Sequence, residues 1–494
     1  MGEDEKNREK GDSGEQTECF WCKRIRWVTY EAPVKLHRFL SSRKTLFLVL
    51  AIAAVTYFAT FGQPEMARLT FATLVFAAGC WMLEVFPLPI TGLMIPAVLA
   101  ILGVFSPDEA FAPFSNSIIF LMIGGLVLGQ SIKKHGLDKW ISFGLLTYSR
   151  GNIDRLVLLV MAATAFLSMW MSNTVAIAVI LPVILSILAA MPKELVNLKR
   201  KMLLGVSIST SIGGTAMLTG STPAMIAGAL LGENGQFGFI DWAYYGLPVS
   251  LLSLTVAFLL LKKMYPSPKI VLNLDKIIEQ KKEIESLTPA QKEVILIFLG
   301  TILFWFVGSR FEGWFGLPTS ISNAAIVSVI AVLVMFGLNL LDLKDLQSIQ
   351  WELVFLVGGG ILLSEAMIVS GAASEISGVI ASMRGSAPLI LIMVALSLIS
   401  LLLTNFISNS ATAAILIPIA IETADLLGVS SVPFVMAVAL SATIAFITPV
   451  GAPSTALIYS TGRVSRGKLV KTGVLAAIPA LLTVLAVVWI LPVP

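Results

Sequence analysis

The chain reads as long apolar runs broken by short polar punctuation. Runs of spanning length cover about 45–62, 69–86, 88–105 and 117–134; a helix needs roughly 20 apolar residues to cross hydrocarbon. A closely spaced pair follows at roughly 155–170 and 174–190, then runs at about 202–231, 242–262, 292–309, 321–337 and 350–368. A second close pair lies at roughly 388–406 and 410–427, and runs at about 433–461 and 472–492 close the chain. The pattern predicts an all-α polytopic membrane protein with about 11 transmembrane helices and two helical hairpins. Each hairpin arm is about 25 Å of helix, borderline for crossing. The short, uncharged turns favour hairpins that enter and leave by one face, although two full spans would also return the chain to its starting side.

Composition agrees with that pattern. Of 494 residues, 56% are hydrophobic and 13% charged, with mean hydropathy +0.89, far from the balance of a soluble domain. Residues 1–44 are too hydrophilic for a signal peptide, so the first span is expected to insert as its own anchor. Residues 1–30 read as a disordered tail, and Trp27 to Lys44 as an interfacial lead-in. Cys19 and Cys22 form a C-x-x-C, but a structural zinc takes four ligands and His37 is the one nearby histidine. An incidental pair is the simplest reading, with metal or palmitoyl roles as alternatives. His37 and His135 receive no role.

Lys and Arg set the expected orientation. With the N-terminus cytoplasmic, that side receives Arg43, Lys44, Lys133, Lys134, Arg150, Arg155, Arg200, Lys201, Lys262 and Lys263, then Lys344 and the group Arg463, Arg466, Lys468 and Lys471. External loops carry little beyond Arg68, Arg310 and Arg384. The C-terminus then lies outside the cell (inner or plasma) membrane. The expected division is a tail at 1–44, a first repeat at 45–262, a polar cytoplasmic linker at 263–291 and a second repeat at 292–494.

The repeat is visible in the residues. Phe120-Leu121-Met122-Ile123-Gly124-Gly125 is matched by Phe355-Leu356-Val357-Gly358-Gly359-Gly360, 235 positions on. Gly136 and Gly371 keep that offset, as do Gln130 and Glu365; Ser172 and Ser408, and Pro182 and Pro418, keep 236. Gly220 and Gly451 stand 231 apart. The charge count runs the two copies in opposite directions. Inverted repeats with interrupted helices point to a secondary transporter whose site lies at mid-membrane.

Four polar interruptions carry the chemistry. Ser168-Met169-Trp170-Met171-Ser172-Asn173-Thr174 and Thr404-Asn405-Phe406-Ile407-Ser408-Asn409-Ser410 form the hairpin turns. Gly220-Ser221-Thr222-Pro223 and Gly451-Ala452-Pro453-Ser454 form later breaks. Glycine lets a half-helix end and expose carbonyls; proline suits the first turn of the next half-helix, where an N–H would be unpaired anyway. Carbonyl and side-chain oxygens suit a hard cation such as Na⁺, and N–H groups at helix N-termini suit an anion. Asn offers both, with its carbonyl to a cation and its NH₂ to an anion. The plainer alternative is that these residues are caps and helix–helix glue; four motifs paired by repeat weigh against it.

These hairpins with Ser-Asn-Thr signatures, followed by Gly-Ser-x-Pro breaks, resemble the divalent anion:sodium symporter family of di- and tricarboxylate and sulfate carriers, over about residues 45–494. The resemblance implies a homodimer in which a rigid transport domain moves against a scaffold. It implies two sodium sites: one around Ser168, Ser172, Asn173 and Gly220, the other near Thr404, the Ile407 carbonyl, Asn409 and Gly451. Asn173, Thr174, Ser221, Thr222, Asn409, Ser410, Ala452 and Pro453 would face the anion. Two departures from the family pattern fall in the second half: Ser410 stands where a threonine is usual, and so does Ala452. Neither break has the Pro-Asn that often follows.

The expected function is therefore sodium-coupled symport of a divalent organic anion, with a C4-dicarboxylate first, by an elevator-type alternating-access cycle in the lipid bilayer. An exchanger, a proton-coupled carrier, or a sulfate or tricarboxylate transporter on the same fold is the alternative. Glu365 is the intramembrane acid that a proton-coupled carrier would use; snorkelling or a local hydrogen bond is its plainer role. No Ser-His-Asp set, paired-carboxylate site or nucleotide loop is legible, so the chain does not read as an enzyme.

Overall fold

A computed structural model describes residues 43–137, 140, 148–149, 152–191, 194–232, 237–267, 287–315, 323–382 and 388–493. The tail with Cys19, Cys22 and His37, most of the linker, and Arg150 and Arg384 lie outside the described residues. In the first half the helices are α1 Arg43–Ala59, α2 Glu65–Met82, α3 Leu88–Ile101, the short α4 Pro107–Phe111, and α5 Ser117–Lys134. The first hairpin is α6 Ile153–Trp170 and α7 Asn173–Ala190. The broken helix after it is α8 Val196–Gly214 and α9 Thr222–Leu231, followed by α10 Phe239–Met264.

The second half repeats the order. It runs α11 Pro289–Phe315, α12 Ala324–Gly337, the short α13 Leu343–Gln347 and α14 Glu352–Val369, then α15 Ala372–Ala381. The second hairpin is α16 Leu389–Thr404 and α17 Asn409–Leu427; the second broken helix is α18 Ser431–Ala442 and α19 Pro453–Ser460; α20 is Arg466–Ile490. Both runs read as long single stretches, 202–231 and 433–461, are thus interrupted, as their Gly and Pro residues imply. Seven helices among the described residues are long and apolar enough to cross a membrane, and no strand occurs among those residues.

Local devices recur at matching places. Ser106 and Glu109 close a capping box on α4, and Asp342 and Asp345 close one on α13. Gly103 and Asn339, which end α3 and α12, both have positive φ, as do Gly136 and Gly371 after α5 and α14. Such a conformation stops a helix at little cost only for Gly or Asn. The Lys134 ammonium pairs with Asp345 at 2.5 Å and Asp342 at 3.3 Å, joining α5 to the α13 turn. The backbone N–H of Asp345 and then Lys134 hold the Asp342 carboxyl below its ordinary value.

The halves interlock through small residues. α5 packs on α12 of the other half, and α14 packs on α3. A Cβ on Gly124 would lie 2.3 Å from the Ser328 Cβ, and one on Gly359 would lie 2.2 Å from the Gly92 carbonyl oxygen. Only small side chains allow helices this close. The α15 helix was not legible as an element. It buries Ala372, Ala373 and Ser377 against α17, where Ser377 Oγ donates to the Ile419 carbonyl at 3.0 Å. At the base of the first hairpin, the fully buried Lys201 donates to Asp154 (2.6 Å) and Ser267 (3.0 Å), and Lys262 stands 3.6 Å from the other Asp154 oxygen. That cluster ties α6, α8 and the end of α10 together.

Candidate functional site

Each hairpin turn is built by a serine cap. The Val175 N–H donates to Ser172 Oγ at 3.4 Å, and the Ala411 N–H donates to Ser408 Oγ at 3.1 Å. The next residue, Asn173 or Asn409, opens the second arm and reaches back to the first. Ser168 Oγ lies 2.6 Å from Asn173 Oδ1, and Thr404 Oγ1 lies 2.9 Å from Asn409 Oδ1. The same hydroxyls also face a main-chain carbonyl, Thr210 at 2.7 Å and Ala442 respectively. A hydroxyl has one proton, so each trio gathers more oxygen lone pairs than protons. Two clusters of neutral oxygens result, one per half.

The first break adds a fourth oxygen. A Cβ on Gly214 would stand 2.6 Å from Asn173 Oδ1 and 3.0 Å from the Gly220 carbonyl. Glycine at 214 therefore lets the amide oxygen and that carbonyl share one neighbourhood. Ser168, Asn173 and Gly220 come together in this way. Ser172 does not join them through its hydroxyl, which caps α7 and donates to Gln350 Oε1 just before α14. In the second half, Thr404 and Asn409 come together, whereas Gly451 lies against the Ala445 carbonyl and Asn405. The Ile407 N–H donates to the Leu403 carbonyl within the turn.

Several residues expected to face the anion meet across the halves. Ser221 caps α9 through the Ala224 N–H at 3.4 Å and stands 3.5 Å from Thr443 Oγ1. Thr222 Oγ1 and Ser410 Oγ lie 2.5 Å apart. Asn173 and Thr174 begin α7, which packs on α19, where Pro453 is the first residue. Ala452 occupies the cap position of α19 without a side-chain hydrogen bond. Two hairpin tips and two breaks thus converge, offering half-helix N-termini beside neutral oxygen clusters. Such a surface can hold a cation and a carboxylate side by side.

Asn405 is a site residue whose role was not read from the sequence. It is 3% exposed, yet its amide is fully used. Nδ2 donates to the Leu401 (2.8 Å) and Ile444 (3.0 Å) carbonyls, and Oδ1 accepts from the Ile447 N–H at 3.0 Å. Thr448 Oγ1 then donates to the Asn405 carbonyl at 2.6 Å and accepts from the Gly451 N–H at 3.0 Å. The irregular chain between α18 and α19 is clamped by this pair. The available signal was an asymmetry: Met169 fills the matching place in the first half. There, Thr219 Oγ1 donates to the Met169 carbonyl at 3.1 Å, and Trp170 packs against Trp305 and Phe298 of α11 instead.

Residues 78–430, from within α2 to the turn before α18, match the citrate transporter family (CitMHS). The chain belongs to this family. An uncharacterised transporter of Haemophilus influenzae is 33% identical over 411 residues, 82% of this chain and 87% of its own. The sodium-dependent dicarboxylate transporter SdcS of Staphylococcus saprophyticus is 24% identical over 86% of both chains. The crystal structure of the YdaH transporter of Alcanivorax borkumensis shares the fold, with TM-score 0.51 at 15% identity, over 81% of this chain and 96% of that one. As a citrate transporter family member, the protein is a multi-pass membrane transporter and not an enzyme. The second break, with Gly451, Ala452 and Pro453, lies beyond the matched residues.

Proposed function

We propose that the protein is a sodium-coupled symporter of a divalent organic anion, with a C4-dicarboxylate as its leading substrate. The observation that carries this reading is the pair of neutral oxygen clusters, Ser168–Asn173–Thr210 and Thr404–Asn409–Ala442. Each would hold one Na⁺, and Gly220 and Gly451 would add carbonyls. Neither cluster holds a carboxylate, so a bound cation keeps its full charge for the neighbouring anion. Ser221, Thr222, Ser410 and the N-termini of α7, α9, α17 and α19 would then bind the two carboxylates. The sodium-dependent dicarboxylate relative supports the coupling.

In this reading, α6–α10 and α16–α20 form a transport domain that moves against a scaffold of α1–α5 and α11–α15 in a homodimer. The N-terminus is cytoplasmic and the C-terminus external. Bound Na⁺ orders the hairpin tips, the anion completes the site, and the loaded domain crosses as a unit. Labelled succinate uptake into proteoliposomes tests it: uptake should need Na⁺ and rise with more than first-order dependence on it. Glu365→Gln should preserve most activity. Uptake driven by a proton gradient without Na⁺, and lost in Glu365→Gln, would establish the proton-coupled reading. A tricarboxylate substrate is the second reading, favoured by the citrate transporter match; competition by citrate separates the two.

A further inference from the structure

A cleft of about 340 Å³ opens beside the second break, lined by Asn405, Phe406, Thr448, Val450, Tyr459 and Arg466. That volume is at the lower end of small-ligand sites. Its walls are apolar and exposed at the protein surface: Phe406 is 65% exposed, Val450 71% and Tyr459 39%. Its floor is the Asn405–Thr448 clamp that shapes the second half-site. One charged group lines it, the Arg466 guanidinium, and no carboxylate pairs with Arg466 among the described residues. The chain segment that carries Arg466 is charged with one sign. From Leu426 to Pro494 the chain has no Asp or Glu, but it carries Arg463, Arg466, Lys468 and Lys471.

We infer that this cleft is a way-station for the organic anion on the cytoplasmic side of the second half-site, with Arg466 holding one carboxylate. The inference rests on the transport reading and orientation proposed above. Loops that follow the positive-inside bias are commonly basic, but the bias does not require an arginine in the wall of a cleft at a helix break. A guanidinium grips a carboxylate through two parallel N–H donors. The lining supplies no competing carboxylate, and its apolar walls keep the hold brief, as a group on a translocation path requires. The site lacks a lysine or arginine in its four motifs, so Arg466 supplies the attraction that draws the anion out of a sodium-balanced pocket. The groups facing it from neighbouring elements are the phenol of Tyr459 and the neutral Asn405 and Thr448.

Two measurements test this. In the first, labelled succinate uptake with Na⁺ is compared in inside-out and right-side-out vesicles. Arg466→Gln should raise KM at the cytoplasmic face about tenfold, the scale of one charge-assisted hydrogen bond, and leave the external KM within about twofold. Arg466→Lys should recover part of the loss, and Arg463→Gln should change neither face. Equal shifts at both faces, or the same shift in Arg463→Gln, would overturn the inference. A shift present in anionic-lipid proteoliposomes but absent in phosphatidylcholine ones would assign the cleft to a lipid headgroup and overturn it too.

The second measurement needs no transport, so it separates failure of the way-station from failure of the symport reading. Val450→Cys is labelled with anionic and cationic methanethiosulfonates in the full chain. Arg466→Gln should lower the anionic-to-cationic rate ratio about tenfold, within the range that a local field imposes on encounter. An unchanged ratio would show that Arg466 does not act on anions in the cleft. Absent succinate transport with a lowered ratio would keep the anion site and refute the choice of cargo.

Discussion

Thr222 Oγ1 lies 2.5 Å from Ser410 Oγ, so a hydroxyl from the first helix break touches one from the second hairpin, 188 residues away. In the proposed symport reading the two halves build one anion surface between them, and neither half completes it alone. Removing either hydroxyl leaves the other without its partner. Thr222→Val and Ser410→Ala should each raise the KM for the carboxylate about five- to tenfold, the scale of one net hydrogen bond. Their double variant should cost less than the product of the two, because the residues are in contact. Initial uptake rates across substrate concentration check this; strictly multiplicative effects would show that the pair does not act together.

The paired amides carry a stronger expectation. Asn173 Oδ1 and Asn409 Oδ1 are each held by a hydroxyl from the opposite arm of their own hairpin, at 2.6 and 2.9 Å. Asn173→Ala and Asn409→Ala should each abolish Na⁺-dependent uptake and leave a folded, membrane-inserted protein. Size-exclusion profiles and uptake, measured on the same preparations, check both halves of the statement. Near-normal uptake in both variants would remove the two-cluster model.

Gly214 gives a test that adds atoms instead of removing them. Its absent Cβ is what leaves Asn173 Oδ1 and the Gly220 carbonyl room to share a neighbourhood. Gly214→Ala should raise the Na⁺ concentration for half-maximal uptake at least tenfold, while helix content and insertion stay unchanged. Position 445 holds the matching place in the second half and is already alanine. Ala445→Gly should therefore have a much smaller effect. A wild-type sodium response in Gly214→Ala would show that the ion does not use the Asn173–Gly220 neighbourhood.

Much of this arrangement is legible in the residues. Ser172 and Ser408, Gly220 and Gly451, and the paired Gly-Gly runs follow from helix capping and close packing, which act over a few residues. The hairpin arms fall within two residues of the positions that the apolar pattern implies, and the second half-helices open at Thr222 and Pro453 as the break motifs imply, but the preceding half-helices end at Gly214 and Ala442, short of Gly220 and Gly451. What stayed hidden depends on distant partners. Asn405 looks like one more polar residue of a signature until Ile444 and Ile447 arrive from 39 and 42 positions away. Gln350 looks like a loop residue until Ser172 faces it. Arg466 reads as a topology signal until the second break forms a cleft beside it. The short helices α4, α13 and α15 escaped because five to ten residues are too few for a helical period to stand out beside the long apolar runs.

The departure at position 452 is open to a test that reads stability and binding separately. Ser221 caps α9, but its counterpart Ala452 offers α19 nothing, and α19 has only eight residues. Pro453 has no N–H, so the donors left at that end include the Thr455 N–H, three residues after the cap position, where Ser221 in the first half engages Ala224. Ala452→Ser should supply the missing acceptor and stabilise the protein by about 1 kcal/mol, the usual worth of an N-cap. The thermal midpoint without substrate should rise accordingly. The new hydroxyl also has a proton to donate, and a hydrogen bond to a charged group is worth about 1.5–3 kcal/mol. If position 452 faces the anion, the KM for succinate should fall by about tenfold or more, and the ranking of larger acids in competition should drop. A raised midpoint with an unchanged KM would show that the cap forms and that the α19 end points away from the substrate, leaving Thr222 and Ser410 to hold the second carboxylate.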